Sequence, residues 1–252
     1  MRYFLEIRYR GTLYHGWQIQ QNALSVQEVI EKALHKVIPG NPGLSGSGRT
    51  DTGVHALQQF AHFDTDQRLD TLQLQHQLNA MLPHDIAVQA ILPVKDDAHA
   101  RFDARIRAYQ YHIHQQKDPF LLDQSYFFKP ALDLDNMNEA ASLLANSQDR
   151  DYACFSKAGG GQESTLCRVY TACWQQTDQH RLVFHISANR FLRNMVRAIV
   201  GTLIEVGTGK ISRDKFLQIL RSNDRQQAGR SVPAEGLYLS RVEYPPDIFL
   251  LN

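Results

Sequence analysis

Residues 46–56 read Gly-Ser-Gly-Arg-Thr-Asp-Thr-Gly-Val-His-Ala, and Asp51 is the only acid in that run. Glycines at 46, 48 and 53 and hydroxyls at 47, 50 and 52 surround it, a composition that predicts a tight polar turn presenting one carboxylate. Arg49, two residues away, favours the ionised form of that acid. A carboxylate kept charged is a nucleophile or an ion-pair partner and a poor proton donor. Asp51-Thr52-Gly53 is also the triplet of aspartic proteases, but those enzymes share one proton between two carboxylates in apolar settings. No second Asp-Thr-Gly or Asp-Ser-Gly occurs in the chain, so a protease dyad would require a dimer. The spacing matches neither GxGxxG nor GxxxxGK[ST], and a central acid would repel phosphate.

Three further stretches carry candidate chemistry. Arg105 and Arg107 lead a basic segment into an alternating run in which Tyr109 and Tyr111 share a face. Such tyrosines are ordinary core residues, or else one ring stacks on a nucleobase, a contact worth about 1–3 kcal/mol. From Arg190 the periodicity predicts a helix with Arg190, Arg193, Asn194, Arg197 and Gly201 on one stripe. Phe191, Leu192, Met195, Val196, Ile199 and Leu203 fall on the other side. The stripe is a solvated cationic face or a binding face. Gly201, which costs roughly 1 kcal/mol relative to alanine in a helix, suggests that something packs closely there. His112 and His114 share a strand face without a carboxylate or cysteine ligand nearby, so they read as exposed strand residues and no metal is expected. Residues 228–239 read as a Pro/Gly loop feeding a strand.

The elements that must position these groups follow from pattern. Residues 2–9 alternate as a half-buried strand. Ser25-Val26-Gln27-Glu28 is a capping box for a helix that ends at Pro39-Gly40. After the Asp51 loop come a strand near 57–64, a helix near 71–81 capped by Asp70, and a strand at 86–92. From about residue 106 the order restarts. It runs through a strand, a helix near 136–146 capped by Asp135, strands at 166–175 and 181–188, the helix at 190–207, a shorter helix after Ser212, and a strand over 236–244. The fold class expected is α+β, two similar halves with mainly antiparallel sheets, divided as 1–105 and 106–252.

With 252 residues, 43% hydrophobic and 21% charged, the composition is that of a globular protein of one large or two ordinary domains. No apolar run approaches the ~20 residues of a membrane span. The first residues read as a strand rather than a signal peptide. Cys154, Cys167 and Cys173 are odd in number and lack CxxC spacing, which fits a reduced cytoplasmic protein without structural zinc. Net charge is +1, so no global basic field announces a nucleic acid, yet arginines cluster at 101–107, 190–197 and 221–230.

Together the segments resemble the tRNA pseudouridine synthase A family. The matching pieces are Gly-Thr-x-Tyr-x-Gly-Trp-Gln (11–18), Gly-x-Gly-Arg-Thr-Asp-x-Gly-Val-His-Ala (46–56) and Phe-x-Ala-x-x-Arg-x-Tyr-x-Tyr (102–111). Phe-Leu-x-x-Met-Val-Arg-x-Ile-Val-Gly (191–201) and Pro-Ala-x-Gly-Leu-Tyr-Leu (233–239) complete the set, in the family's order. Arg10 departs from the aspartate common before Gly-Thr. The resemblance implies a pseudouridine-synthase-type fold with a central cleft, acting without metal or organic cofactor. It implies Asp51 as nucleophile, Arg197 as its ion-pair partner, Tyr109 against the target uracil, and Arg49 assisting entry of a flipped nucleotide. Arg105, Arg107, Arg190 and Arg193 would contact RNA. The implied substrate is the anticodon stem-loop of tRNA, at uridines 38, 39 and 40 in tRNA numbering, and the implied assembly a homodimer.

Overall fold

The computed structural model describes residues 1–157 and 164–250. The chain forms two compact units, Met1–Ile106 joined by the residues from Tyr238 onward, and Arg107–Leu237.

In the first unit, β1 (Arg2–Tyr9), β2 (Ser45–Gly46), β3 (His55–Asp64) and β4 (Ile86–Val94) alternate with α1 (Val26–Leu34) and α2 (Thr71–Met81). β1 is central, antiparallel to β3 from Arg2↔Asp64 to Tyr9↔Ala56 and to β4 from Arg2↔Val94 to Tyr9↔Ile86. Tyr3, Leu5, Ile7 and Tyr9 are buried as the alternation predicts. Phe4 is buried as well, so the strand is more than half-buried. It packs edge-on to Tyr244 at 5.2 Å and Phe249 at 6.2 Å, on the face opposite the alternating set. Burying such a ring contributes roughly 1.5–3 kcal/mol. The helix starts are set by side chains: Ser25 Oγ accepts from Glu28 N–H at 3.3 Å, and Asp70 Oδ1 accepts from Leu72 and Gln73 N–H at 3.1 and 3.0 Å.

In the second unit, β5 (Ile106–His114) pairs antiparallel with β10 (Arg181–Ala188), and β10 with β9 (Val169–Asp178). The two-residue strand β6 (Tyr126–Phe127) lies parallel to β5, and β7 (Arg150–Asp151) pairs with β8 (Leu166–Cys167). α3 (Leu134–Ser142), α4 (Met195–Gly207) and α5 (Arg213–Ser222) pack together, with α3 against β9. α3 begins two residues before the expected start. Asp133, not Asp135, is the cap, its Oδ1 accepting from Asn136 N–H at 3.0 Å. Met137, Ala140 and Ala141 of this helix are buried in the core.

The last strand, β11 (Leu237–Glu243), pairs in parallel with β3 through Tyr238↔His55 and Leu239↔Ala56. The sequence pattern had assigned residues 106–252 to one half; the residues after Leu237 belong instead with the first unit. The α+β class with mainly antiparallel pairing holds in both.

Candidate active site

The Asp51 loop is a turn closed by Val54 N–H donating to the Asp51 carbonyl at 3.1 Å, with Gly53 at φ 78° in the position that favours glycine. Asp51 itself is partly exposed, and Arg49 and Thr52 are exposed. A second segment, residues 9–17, grips this turn from outside. Trp17 N–H reaches the Thr50 carbonyl at 3.4 Å, Gly53 N–H donates to the Tyr14 carbonyl at 3.2 Å, and the Tyr9 hydroxyl lies 2.9 Å from Thr50 Oγ1. Gly16, at φ 84°, comes so close that a Cβ there would overlap the Thr50 carbonyl oxygen. The Trp17 indole lies in the space a side chain at residue 46 would need.

The grip is anchored on both sides. The Tyr14 hydroxyl donates to Asp85 Oδ1 at 2.7 Å, and burial together with that carboxylate raises the phenol well above its ordinary range. Gly11 N–H donates to His55 Nδ1 at 3.0 Å, so Nδ1 carries no proton, and the imidazole stacks on Tyr238 at 4.6 Å. Burial pushes the Tyr238 phenol up to about 12, with the Arg10 charge opposing the rise. Arg10 itself is exposed, and its amide bonds the Asp85 carbonyl at 2.9 Å. The first turn therefore forms with arginine in place of the aspartate that the resemblance suggests.

In the second unit, Tyr111 is fully buried and its hydroxyl donates to the Pro233 carbonyl at 2.8 Å. Tyr109, one pleat earlier, is partly exposed and packs edge-on to Phe191 at 5.1 Å. The two tyrosines thus divide the roles that their shared face left open, one in the core and one at the surface of it. Arg197 Nε donates to the Val232 carbonyl at 2.7 Å, and Val232 N–H returns a bond to the Arg197 carbonyl at 3.2 Å. The loop of residues 228–233 therefore ties the tyrosine strand to the arginine helix. Its backbone also explains Gly201, where a Cβ would overlap the Arg230 carbonyl oxygen. The close neighbour inferred from that glycine is the chain's own main chain.

The cationic helical stripe is corrected. α4 starts at Met195, and Asn194 before it has φ 65°, a left-handed residue that ends any helical path from Arg190. Arg190, Arg193 and Asn194 therefore lie on the approach to the helix, and of the five only Arg197 and Gly201 are in it. Arg193 is exposed, with its carbonyl accepting from Lys157 N–H at 3.1 Å, and Arg190 is partly exposed. Arg107 Nη1 donates to the Asn189 carbonyl at 2.9 Å, and Arg105, in the first unit, is exposed. Asn194 Nδ2 bonds Ser231 Oγ, a further tie to the 228–233 loop.

His114 is buried rather than exposed. Its ring stacks on Phe127 at 5.2 Å, while His112 meets the Gln110 side chain at 3.1 Å. Among the described residues no three His, Cys, Asp or Glu side chains gather as metal ligands. The cysteines are free thiols; burial pushes Cys154 and Cys167 each up to about 12, while Cys173 is exposed. The supports that sequence reasoning missed are Tyr9, Tyr14, Trp17 and Val232. The glycines at 11, 16 and 229 signalled close packing there without naming its partner.

Comparison with known proteins gives this architecture a class. A family model described as tRNA pseudouridine synthase matches residues 7–103 and 149–245, segments that hold the Asp51 loop and the Arg197 helix. The chain belongs to that family of isomerases. It is 47% identical over 249 residues to a tRNA pseudouridine synthase A of Bacteroides fragilis, covering 98% of each chain. A protein of the same name from Porphyromonas gingivalis is 47% identical over 252 residues, with 99% of each covered. One from Thermoanaerobacter sp. is 41% identical over 240 residues, covering 94% of this chain and 97% of its own.

Proposed function

We propose that this protein converts uridine to pseudouridine in the anticodon stem-loop of tRNA, at positions 38, 39 and 40, with Asp51 as the nucleophile. The observation that carries the reading is the Asp51 turn, a single carboxylate held partly exposed on a closed, externally gripped loop inside the family-matched region. The reaction breaks the N1–C1′ bond and joins C1′ to C5 of the same base. The proton lost from C5 is balanced by one gained at N1, so oxidation state is unchanged and no redox partner is required. The target base must leave its stack at a cost of a few kcal/mol. Tyr109 is assigned to stack on the extruded uracil, Arg49 to assist its entry, and Arg197 to supply the cation that balances the Asp51 carboxylate. Arg105, Arg107, Arg190 and Arg193 are assigned to the RNA backbone. The carboxylate then assists departure of the base or attacks C1′ or C6.

Support for a positioned Arg197 and Tyr109 lies within the second unit, where Val232 and Pro233 fix the elements that carry them. A homodimer in the cytoplasm completes the reading. Among the described residues no helix is long and apolar enough to cross a membrane. The test is incubation of the pure protein with unmodified tRNA in EDTA, followed by chemical mapping of pseudouridine. Product at 38–40 with wild type, and binding without product for Asp51→Asn, is the expected result. Near-normal turnover by Asp51→Asn overturns the assignment, and product at other uridines overturns the substrate.

A further inference from the structure

We propose that Tyr9 is a positioning residue for the Asp51 carboxylate, acting through the side-chain hydroxyl of Thr50. The inference rests on the reading of Asp51 as nucleophile and extends it. Thr50 is the residue immediately before Asp51, and its Oγ1 lies 2.9 Å from the Tyr9 hydroxyl, within hydrogen-bond reach. Tyr9 is only 4% exposed, so its phenol meets Thr50 where water competes little. Its aim is set by β1. The pairing register with β3 shifts between Ile7 and Tyr9, and an irregularity of this kind re-directs the side chain that follows it. The ring is further braced by Trp17, 6.3 Å between centroids.

The consequence for Asp51 is geometric. The peptide before its Cα is held at the Thr50 carbonyl by Trp17 N–H, and the peptide after it at the Asp51 carbonyl by Val54 N–H. With a hydrogen bond on each of these planes, the backbone torsions of Asp51 are restrained, and with them the placement of its carboxylate. The first of those two ties is the longer, at 3.4 Å against 3.1 Å. The Tyr9–Thr50 hydroxyl pair backs up that weaker side by fixing the Thr50 side chain. A displacement of about 1 Å at a reacting group can cost about 100-fold in rate.

The experiment compares Tyr9→Phe, Thr50→Val, their double variant and Thr50→Ser with wild type in single-turnover assays on unmodified tRNA. Asp51→Asn serves as the control. Each hydroxyl deletion is expected to lower the chemical rate by about 10- to 100-fold, with tRNA Kd and Tm unchanged. The double variant should be no slower than the worse single one, since both remove the same contact, and Thr50→Ser should recover most of the rate. Additive losses, a normal rate for Tyr9→Phe, or a Thr50→Ser protein as slow as Thr50→Val would overturn the inference. Should Tyr9→Phe melt early, the Thr50→Val and Thr50→Ser pair at matched stability decides the question by the same criterion. An Asp51→Asn protein that still turns over defeats the underlying reading. An inactive Asp51→Asn beside a fully active Tyr9→Phe defeats the positioning role alone.

Discussion

Arg197 is tied to Val232 through both its backbone and its side chain, with the carbonyl accepting at 3.2 Å and Nε donating at 2.7 Å. The Nε bond fixes the plane of the guanidinium. A lysine keeps the charge but not the plane. Arg197→Lys and Arg197→Leu are both expected to lose about 100-fold in single-turnover rate, with tRNA Kd changing by less than about threefold. Filter binding beside a quench assay distinguishes this from a plain phosphate contact, for which the loss would appear in Kd and leave the rate intact. The two tyrosines differ in setting: Tyr111 is buried and bonded to Pro233, and Tyr109 is partly exposed, the setting that the proposed stacking role requires.

α4 depends on a crossing that no side chain can enter, since Gly201 lies against the Arg230 carbonyl and Gly229 against Thr202. Gly201→Ala should gain about 1 kcal/mol of helix propensity and lose more to overpacking, for a net destabilisation of about 1–3 kcal/mol. Urea denaturation followed by circular dichroism measures it, and a stabilised variant would contradict the crossing. Much of this architecture was legible in the residues. The caps at Ser25, Asp70 and Ser212 each mark a helix start that the structure keeps, and after Ser25 the apolar period of 3.6 and burial agree as well. Legibility failed where they competed. Phe191, Leu192, Met195 and Val196 satisfy a helical period, but Asn194 breaks the path with a positive φ that periodicity cannot sense. In Ala-Leu-Asp-Leu-Asp-Asn the pattern points to Asp135 as the cap, whereas the hydrogen bond that starts the helix comes from Asp133, a choice between two like residues that periodicity cannot make. The Asp51 turn was readable because its glycines and hydroxyls are local. Its grip by residues 9–17 was not, because the partners lie some 40 residues apart in sequence.

Across the whole molecule the charge is close to balanced, so the proposed RNA contacts rest on local arginines. If Arg105, Arg107, Arg190 and Arg193 each neutralise one phosphate, tRNA affinity should drop about 100-fold between about 50 mM and about 200 mM salt. A flat response in a titration series would remove those contacts. Acid sensitivity has a separate origin in the first unit. Burial pushes the His62 imidazole down to about 4, aided by the charges of Arg2 and His99 and opposed by Asp64 and Asp103, while its Nδ1 accepts from Ala100 N–H at 3.2 Å. Between about pH 6.5 and pH 4 the unfolded chain binds a proton there that the native ring does not. Stability therefore falls on acidification through that window, by at most about 1.4 kcal/mol per pH unit from this group. His62→Asn, which keeps an acceptor for Ala100, should flatten that part of a Tm-versus-pH curve; an unchanged slope would place the acid sensitivity elsewhere.

The chain contains two tryptophans, Trp17 in the first unit and Trp174 in the second, and each is nearly sealed from solvent at 2% and 4% exposure. Nature has thereby installed one optical reporter per unit. With Trp174 replaced by phenylalanine, emission from the remaining indole follows the environment beside the Asp51 turn. The reciprocal protein follows the β9–β10 region, where Trp174 sits 5.1 Å from Phe184. Whether the two units melt together or in sequence thus becomes a matter of colour, read without attaching any dye.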